Sequence, residues 1–102
     1  MKKDYSNYRK EINERLIYIR KNLPKKFNAK MFVDILQKIE PPLYSKAMKD
    51  VSEPIFIRWI AWYYIPQELV RKGFVIRSIL SSIRQNNKRD DAFSKLWIWR
   101  NH

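Results

Sequence analysis

The chain has 102 residues and an apolar fraction of 45%, which allows one packed domain and argues against global disorder. Its net charge of +12 makes a polyanionic partner a standing expectation. The absence of cysteine and a single histidine, His102, exclude a disulfide framework, a zinc knuckle and a thiol nucleophile, and leave histidine-based chemistry without its usual residues.

One glycine, Gly73, and five prolines point away from an all-β fold and toward helices broken by proline. Tyr5, Tyr8, Ile12, Leu16, Ile19 and Leu23 recur every three or four positions. That stripe predicts one long amphipathic helix, opened by Asp4 and ended by Pro24. Asn28 is placed to cap a second helix whose apolar face is Met31, Phe32, Ile35, Leu36 and Ile39. "EPP" at residues 40–42 breaks the chain again, and a short third helix turns Leu43, Ala47, Met48 and Val51 inward.

Ser52 caps the next helix, with Pro54 in the first turn, where its missing N–H costs nothing. This helix contains "RWIAWYYIP" (residues 58–66) and is expected to close at Pro66, with a further turn through Lys72 to Gly73. Residues 74–84 read as another amphipathic helix and "QNNKRD" as a polar loop. Asp90 or Asp91 then starts a last helix with Ala92, Phe93, Leu96 and Trp97 inward.

The two halves resemble each other. "PKKFNAKMFVDILQKI" (residues 24–39) aligns with "PQELVRKGFVIRSILSSI" (residues 66–83) after a two-residue insertion. "YSKAM" (44–48) then meets "FSKLW" (93–97) in the same order. The expected fold is therefore all-α, an internal duplication of two similar three-helix units, residues 1–51 and 52–102. They form one compact domain around an apolar helix at residues 54–65, and the seam between the units is a natural groove.

The aromatic stretch is too short to span a membrane. Residues 55–65 are 11 positions interrupted by Arg58, against about 20 needed. On an α-helical wheel Ile55, Phe56, Trp59, Ile60, Trp62 and Tyr63 share one side, with Ile57, Tyr64 and Ile65 opposite. A helix apolar nearly all round belongs in a core. All four tryptophans (Trp59, Trp62, Trp97, Trp99) nevertheless lie in the second half, and Trp99 and Ile98 cannot both point inward on a helix that already buries Leu96 and Trp97. Tryptophan, tyrosine and arginine at a partly open seam are the residues that dominate interface energetics.

These features support two functional expectations. The first is a non-enzymatic protein- or peptide-binding module. Its aromatic anchors are Trp59, Trp62, Tyr63, Tyr64, Trp97 and Trp99, and Arg58 is its polar clamp. The alternative is a nucleic-acid-binding protein that holds phosphates through "RKNLPKKFNAK" at residues 20–30, where Arg20, Lys21, Lys25, Lys26 and Lys30 occur without an acid. No helix carries the Asn, Gln or Arg face that reads base edges, so sequence-specific recognition is not expected. Catalysis is not expected either, because Glu11 with Glu14 reads as an exposed face and Asp90 with Asp91 as a helix cap. There is no phosphate loop, nucleophile elbow or metal-ligand cluster, so no cofactor or metal is expected.

The whole chain, with "RWIAWYYIP" and the ending "FSKLWIWRNH", resembles the small proteins of archaeal filamentous viruses of the Acidianus type. The resemblance implies a viral protein, in the host cell or in the virion, and carries over no catalytic or binding residues. "MKKDYSNYRKE" turns polar where a secretion signal would become apolar, which agrees with an intracellular setting.

Overall fold

The computed structural model describes residues 5–78 and 95–100. Within them the protein is mostly helical, with a small three-stranded sheet. The helices are α1 (Ser6–Glu14), α2 (Leu16–Asn22), α3 (Ala29–Ile39), α4 (Pro41–Asp50), α5 (Glu53–Trp59) and a π-helix (Ile60–Leu69). The strands are β1 (Lys26–Phe27), β2 (Val75–Arg77) and β3 (Trp97–Trp99).

The long first helix is two helices. At Arg15 the backbone turns to φ −104°, and its N–H bonds the Ile12 carbonyl at 3.0 Å, three residues back instead of four. The apolar stripe survives the bend, so Tyr8, Ile12, Ile19 and Leu23 all reach the core. Arg15 Nε meets Glu40 Oε2 at 2.9 Å, which ties the bend to the junction of α3 and α4.

Of the two later caps expected, Asn28 makes its side-chain bond and Ser52 stands at the N-cap of α5 without one. Asn28 Oδ1 accepts the Met31 N–H at 2.8 Å, satisfying a donor that the first turn of α3 cannot. That turn starts a helix burying Phe32, Val33 and Leu36. Prolines open α4 and α5, where their missing N–H removes no helical bond.

The stretch "IAWYYIPQEL" departs from the α-helical expectation. Pro66 does not end the helix but sits inside a π-helix. The Val70 N–H donates to the Ile65 carbonyl at 3.0 Å and the Phe74 N–H to the Leu69 carbonyl at 2.9 Å, each five residues back. In an α-helix the Pro66 ring would collide with the Trp62 carbonyl. The wider turn of a π-helix relieves that collision. Gly73, at φ +78°, then ends the helix in a conformation that side-chain-bearing residues rarely adopt.

The sheet corrects the all-α expectation. β3 lies between β1 and β2, antiparallel to both, with Lys26, Ile98 and Ile76 in register across it. Val75 is a strand residue, not the start of a helix, and Trp97 is a strand residue, not the end of one. Their counterparts in the sequence alignment of the halves, Val33 and Met48, are helical. The expected helices of residues 79–84 and 90–94, and the loop between them, lie outside the described residues.

Alternation explains the strand. Trp97 and Trp99 both face inward, and Ile98 faces out between them. Trp99 stacks on Phe27 at 4.9 Å, and Phe27 meets Phe32 of α3 at 6.0 Å, so the sheet's inner face is pinned to the helices. No helix among the described residues is long and apolar enough to cross a membrane. Replacing Trp99 by Ala is expected to cost about 3–5 kcal/mol in a urea titration, the usual range for a buried aromatic. A loss under about 1 kcal/mol would mean that the stack is not structural.

Candidate functional site

The π-turn decides which aromatics are available to a partner. Ile60, Ala61, Tyr64, Ile65 and Leu69 point into the core, whereas Trp62 and Tyr63 are thrown out to solvent, 50% and 46% exposed. The α-helical wheel had placed Trp62 and Tyr63 on the side of Phe56 and Ile60. With an extra residue per turn, that side passes to Tyr64 and Ile65.

Four of the seven expected groove residues form one surface. Trp59, half-buried, stacks on Tyr63 at 6.3 Å and on Tyr5 at 4.8 Å. Arg58 lies 5.9 Å from the Trp62 ring centre, and Ile55, one turn earlier, is 49% exposed. Lys95, which is not among the expected groove residues, stands 5.8 Å from the same ring. Trp62 therefore has two cations within 6 Å of its ring centre, an arrangement that favours charge near its π-face.

The other three do not line a groove. Tyr64 is fully buried, with its hydroxyl on Asn13 Oδ1 at 2.6 Å. Trp97 and Trp99 are buried in the sheet's inner face, and neither indole N–H has a hydrogen-bond partner among the described residues. A groove lined by polar and charged residues runs along α1. It holds about 640 Å³ between α1 and the π-helix, lined by Arg9, Lys10 and Asn13 on one side and Glu68 and Lys72 on the other. Arg9 crosses it to Glu68 at 3.4 Å. Ser6, the residue after Tyr5, also lines this groove.

The basic stretch also divides. Lys30 is committed to Asp34 at 3.1 Å and Glu53 at 3.4 Å, with Asp34 contributing most to holding its charge. Arg20 bonds the Arg100 carbonyl and lies 5.5 Å from the Trp99 ring. Lys21, Lys25 and Lys26 are exposed beside the sheet, where β2 and β3 add Arg77 and Arg100. Only the strand pairing reveals that addition, since the three segments are far apart in sequence. No protein family, curated protein or solved structure matches this chain.

Two tyrosines link the core to pH. Burial, and then the nearby Glu68 charge, raise the Tyr64 phenol above its usual range. Burial, and then a hydrogen bond to Asp50, do the same for Tyr8. Below about pH 10 both phenols are neutral whether folded or unfolded. Above it the unfolded chain releases protons that the fold retains, so stability falls as pH rises. The urea midpoint is expected to decline above about pH 10, and more shallowly in Tyr64→Phe. That variant should lose about 1 kcal/mol at neutral pH with its hydrogen bond to Asn13. An unchanged alkaline slope in Tyr64→Phe would count against the assignment.

Proposed function

We propose that this protein is a non-enzymatic protein- or peptide-binding module whose contact surface is the exposed face of α5 and the π-helix. The observation that carries the reading is Trp62, half-exposed with Arg58 and Lys95 both near its ring, on a segment that also exposes Ile55 and Tyr63. An exposed tryptophan is costly to keep in water, and tryptophan, tyrosine and arginine are the residues that most often anchor interfaces. The two cations at the ring favour a partner segment that pairs an apolar side chain with carboxylates.

The groove between α1 and the π-helix is a second contact region. Its Lys10 can receive a partner's carboxylate, while Arg9 and Lys72 are already engaged by Glu68. Of the anchors expected from the sequence, Trp59, Trp62 and Tyr63 remain with Arg58 beside them, and buried Tyr64, Trp97 and Trp99 drop out. The viral setting implied by the resemblance is part of the same proposal.

The test is selection of a random displayed peptide library on the folded protein, followed by titration of the winners against variants. Selected peptides should combine a large apolar residue with Asp or Glu. Trp62→Ala should weaken them at least about tenfold, in line with a loss of about 1.4 kcal/mol or more for an interface anchor. The melting temperature should stay near that of the parent, because Trp62 is on the surface. A library that yields no enriched sequence, or winners indifferent to Trp62→Ala, would refute the proposal.

A further inference from the structure

The exposed face of α5 and the π-helix carries its side chains in two neighbouring rows. Ile55, Trp59 and Tyr63 recur every four residues, and Trp59 stacks on Tyr63 with ring centres 6.3 Å apart. Beside them Arg58 is followed four residues later by Trp62, whose ring centre lies 5.9 Å from the guanidinium. Ile55, Arg58, Trp62, Tyr63 and Gln67 are exposed, and Trp59 is half-buried. Side chains four apart form the ridges of a helix surface, and the space between two such ridges is a groove. From Ile55 to Gln67 the face runs roughly 15–20 Å, about three helical turns.

A ridged helical face accepts a helix better than an extended chain. The backbone here is engaged in helical hydrogen bonds, so side chains are what it presents to a partner. An extended segment laid on it would lose water from its own N–H and C=O groups and find no ladder to join. Extended peptides are held at sheet edges or in grooves that fit a polyproline turn, and this face is neither. A helix arrives with its backbone bonds already made and sets a ridge of its own into the groove.

The charges decide what kind of helix fits. Glu53 and Glu68, the two acids of these elements, are engaged by Lys30 and by Arg9 with Lys72. Arg58 and Lys95, both beside the Trp62 ring, form no ion pair among the described residues. The complement of aromatic rings flanked by unpaired cations is an apolar stripe flanked by carboxylates. A second copy of this chain is a poor candidate, because it carries the same net charge of +12 and would set these cations against its own.

We propose that the partner segment is an acidic amphipathic α-helix of about three turns, packed along the groove between the two rows. Its apolar stripe rests on Ile55, Trp59, Trp62 and Tyr63, and its carboxylates reach Arg58 and Lys95. This rests on the binding surface proposed above and adds the form and charge of what that surface holds.

The test takes peptides of roughly 16 residues, selected on the folded protein, and measures the shape they adopt when bound. Circular dichroism of the mixture should show more helix than the sum of the free components. Alanine scanning of the peptide should find losses three or four residues apart. A central Pro should weaken binding at least about thirtyfold. Arg58→Glu should weaken it at least about fivefold, whereas Lys46→Glu, the same charge change on an exposed position of α4, should leave it within about twofold. Circular dichroism of each variant alone separates lost binding from lost fold. Peptides that depend on Trp62 yet gain no helix and tolerate the central Pro would overturn the helical partner and leave the binding surface standing. Peptides that lose as much to Lys46→Glu as to Arg58→Glu would overturn the charge match. A selection that yields no peptide removes the surface and this inference together. Dimerisation seen in sedimentation and lost in Trp62→Ala would put a second copy in the helix's place.

Discussion

The contact on which the rest depends is the stack of Phe27 on Trp99. Phe27 is part of a two-residue strand that could not persist alone, and its ring meets both Trp99 and Phe32. Through that contact β3 is held between β1 and β2 with its tryptophans turned inward. Everything on the outer side follows by alternation. Once Trp97 and Trp99 are committed to the core, Ile98 must face out, and the residues registered with it, Lys26 and Ile76, face out too. A packing requirement inside the molecule thereby sets the chemistry of the surface.

A comparable constraint operates in the helix that follows α5. Pro66 cannot be housed in an α-turn behind Trp62, and the chain accommodates it by widening the turn instead of stopping. The cost is a poorer hydrogen-bond pattern along one segment. The result is that Tyr64 and Ile65 are delivered to the core while Trp62 and Tyr63 are left outside with Arg58 and Lys95. Unusual helical turns often accompany functional surfaces, and here a single proline explains why the aromatics divide as they do.

The sequence was most legible where local chemistry decides the outcome. Asn28, the prolines at 41, 42 and 54, and Gly73 mark their boundaries because each acts on its own backbone. It was least legible where a distant partner decides. "LWIWR" and "FVIR" were read at helical spacing, although Trp97–Ile98–Trp99 alternates and β-branched and aromatic residues favour strands. The difficulty of turning Ile98 inward together with Trp97 and Trp99 was the available signal. For the candidate surfaces, Arg58, Trp59, Trp62 and Tyr63 were legible as a group. Lys95, Arg77 and Arg100 were not, because they join their neighbours only through the pairing of β3.

The strand order has a consequence for how the molecule assembles. β1 comes early in the chain and β3 late, so their ladder closes one of the largest loops available to this sequence. Contacts of that kind form slowly, after the helices have collected, because the loop-closure entropy is lost before the pairing offsets it. During synthesis the helical half of the fold can condense while the sheet is still missing its central strand. The outward row of Lys26, Ile98 and Ile76 is then a property of the finished chain, absent from any shorter precursor in which β1 and β2 have no strand between them.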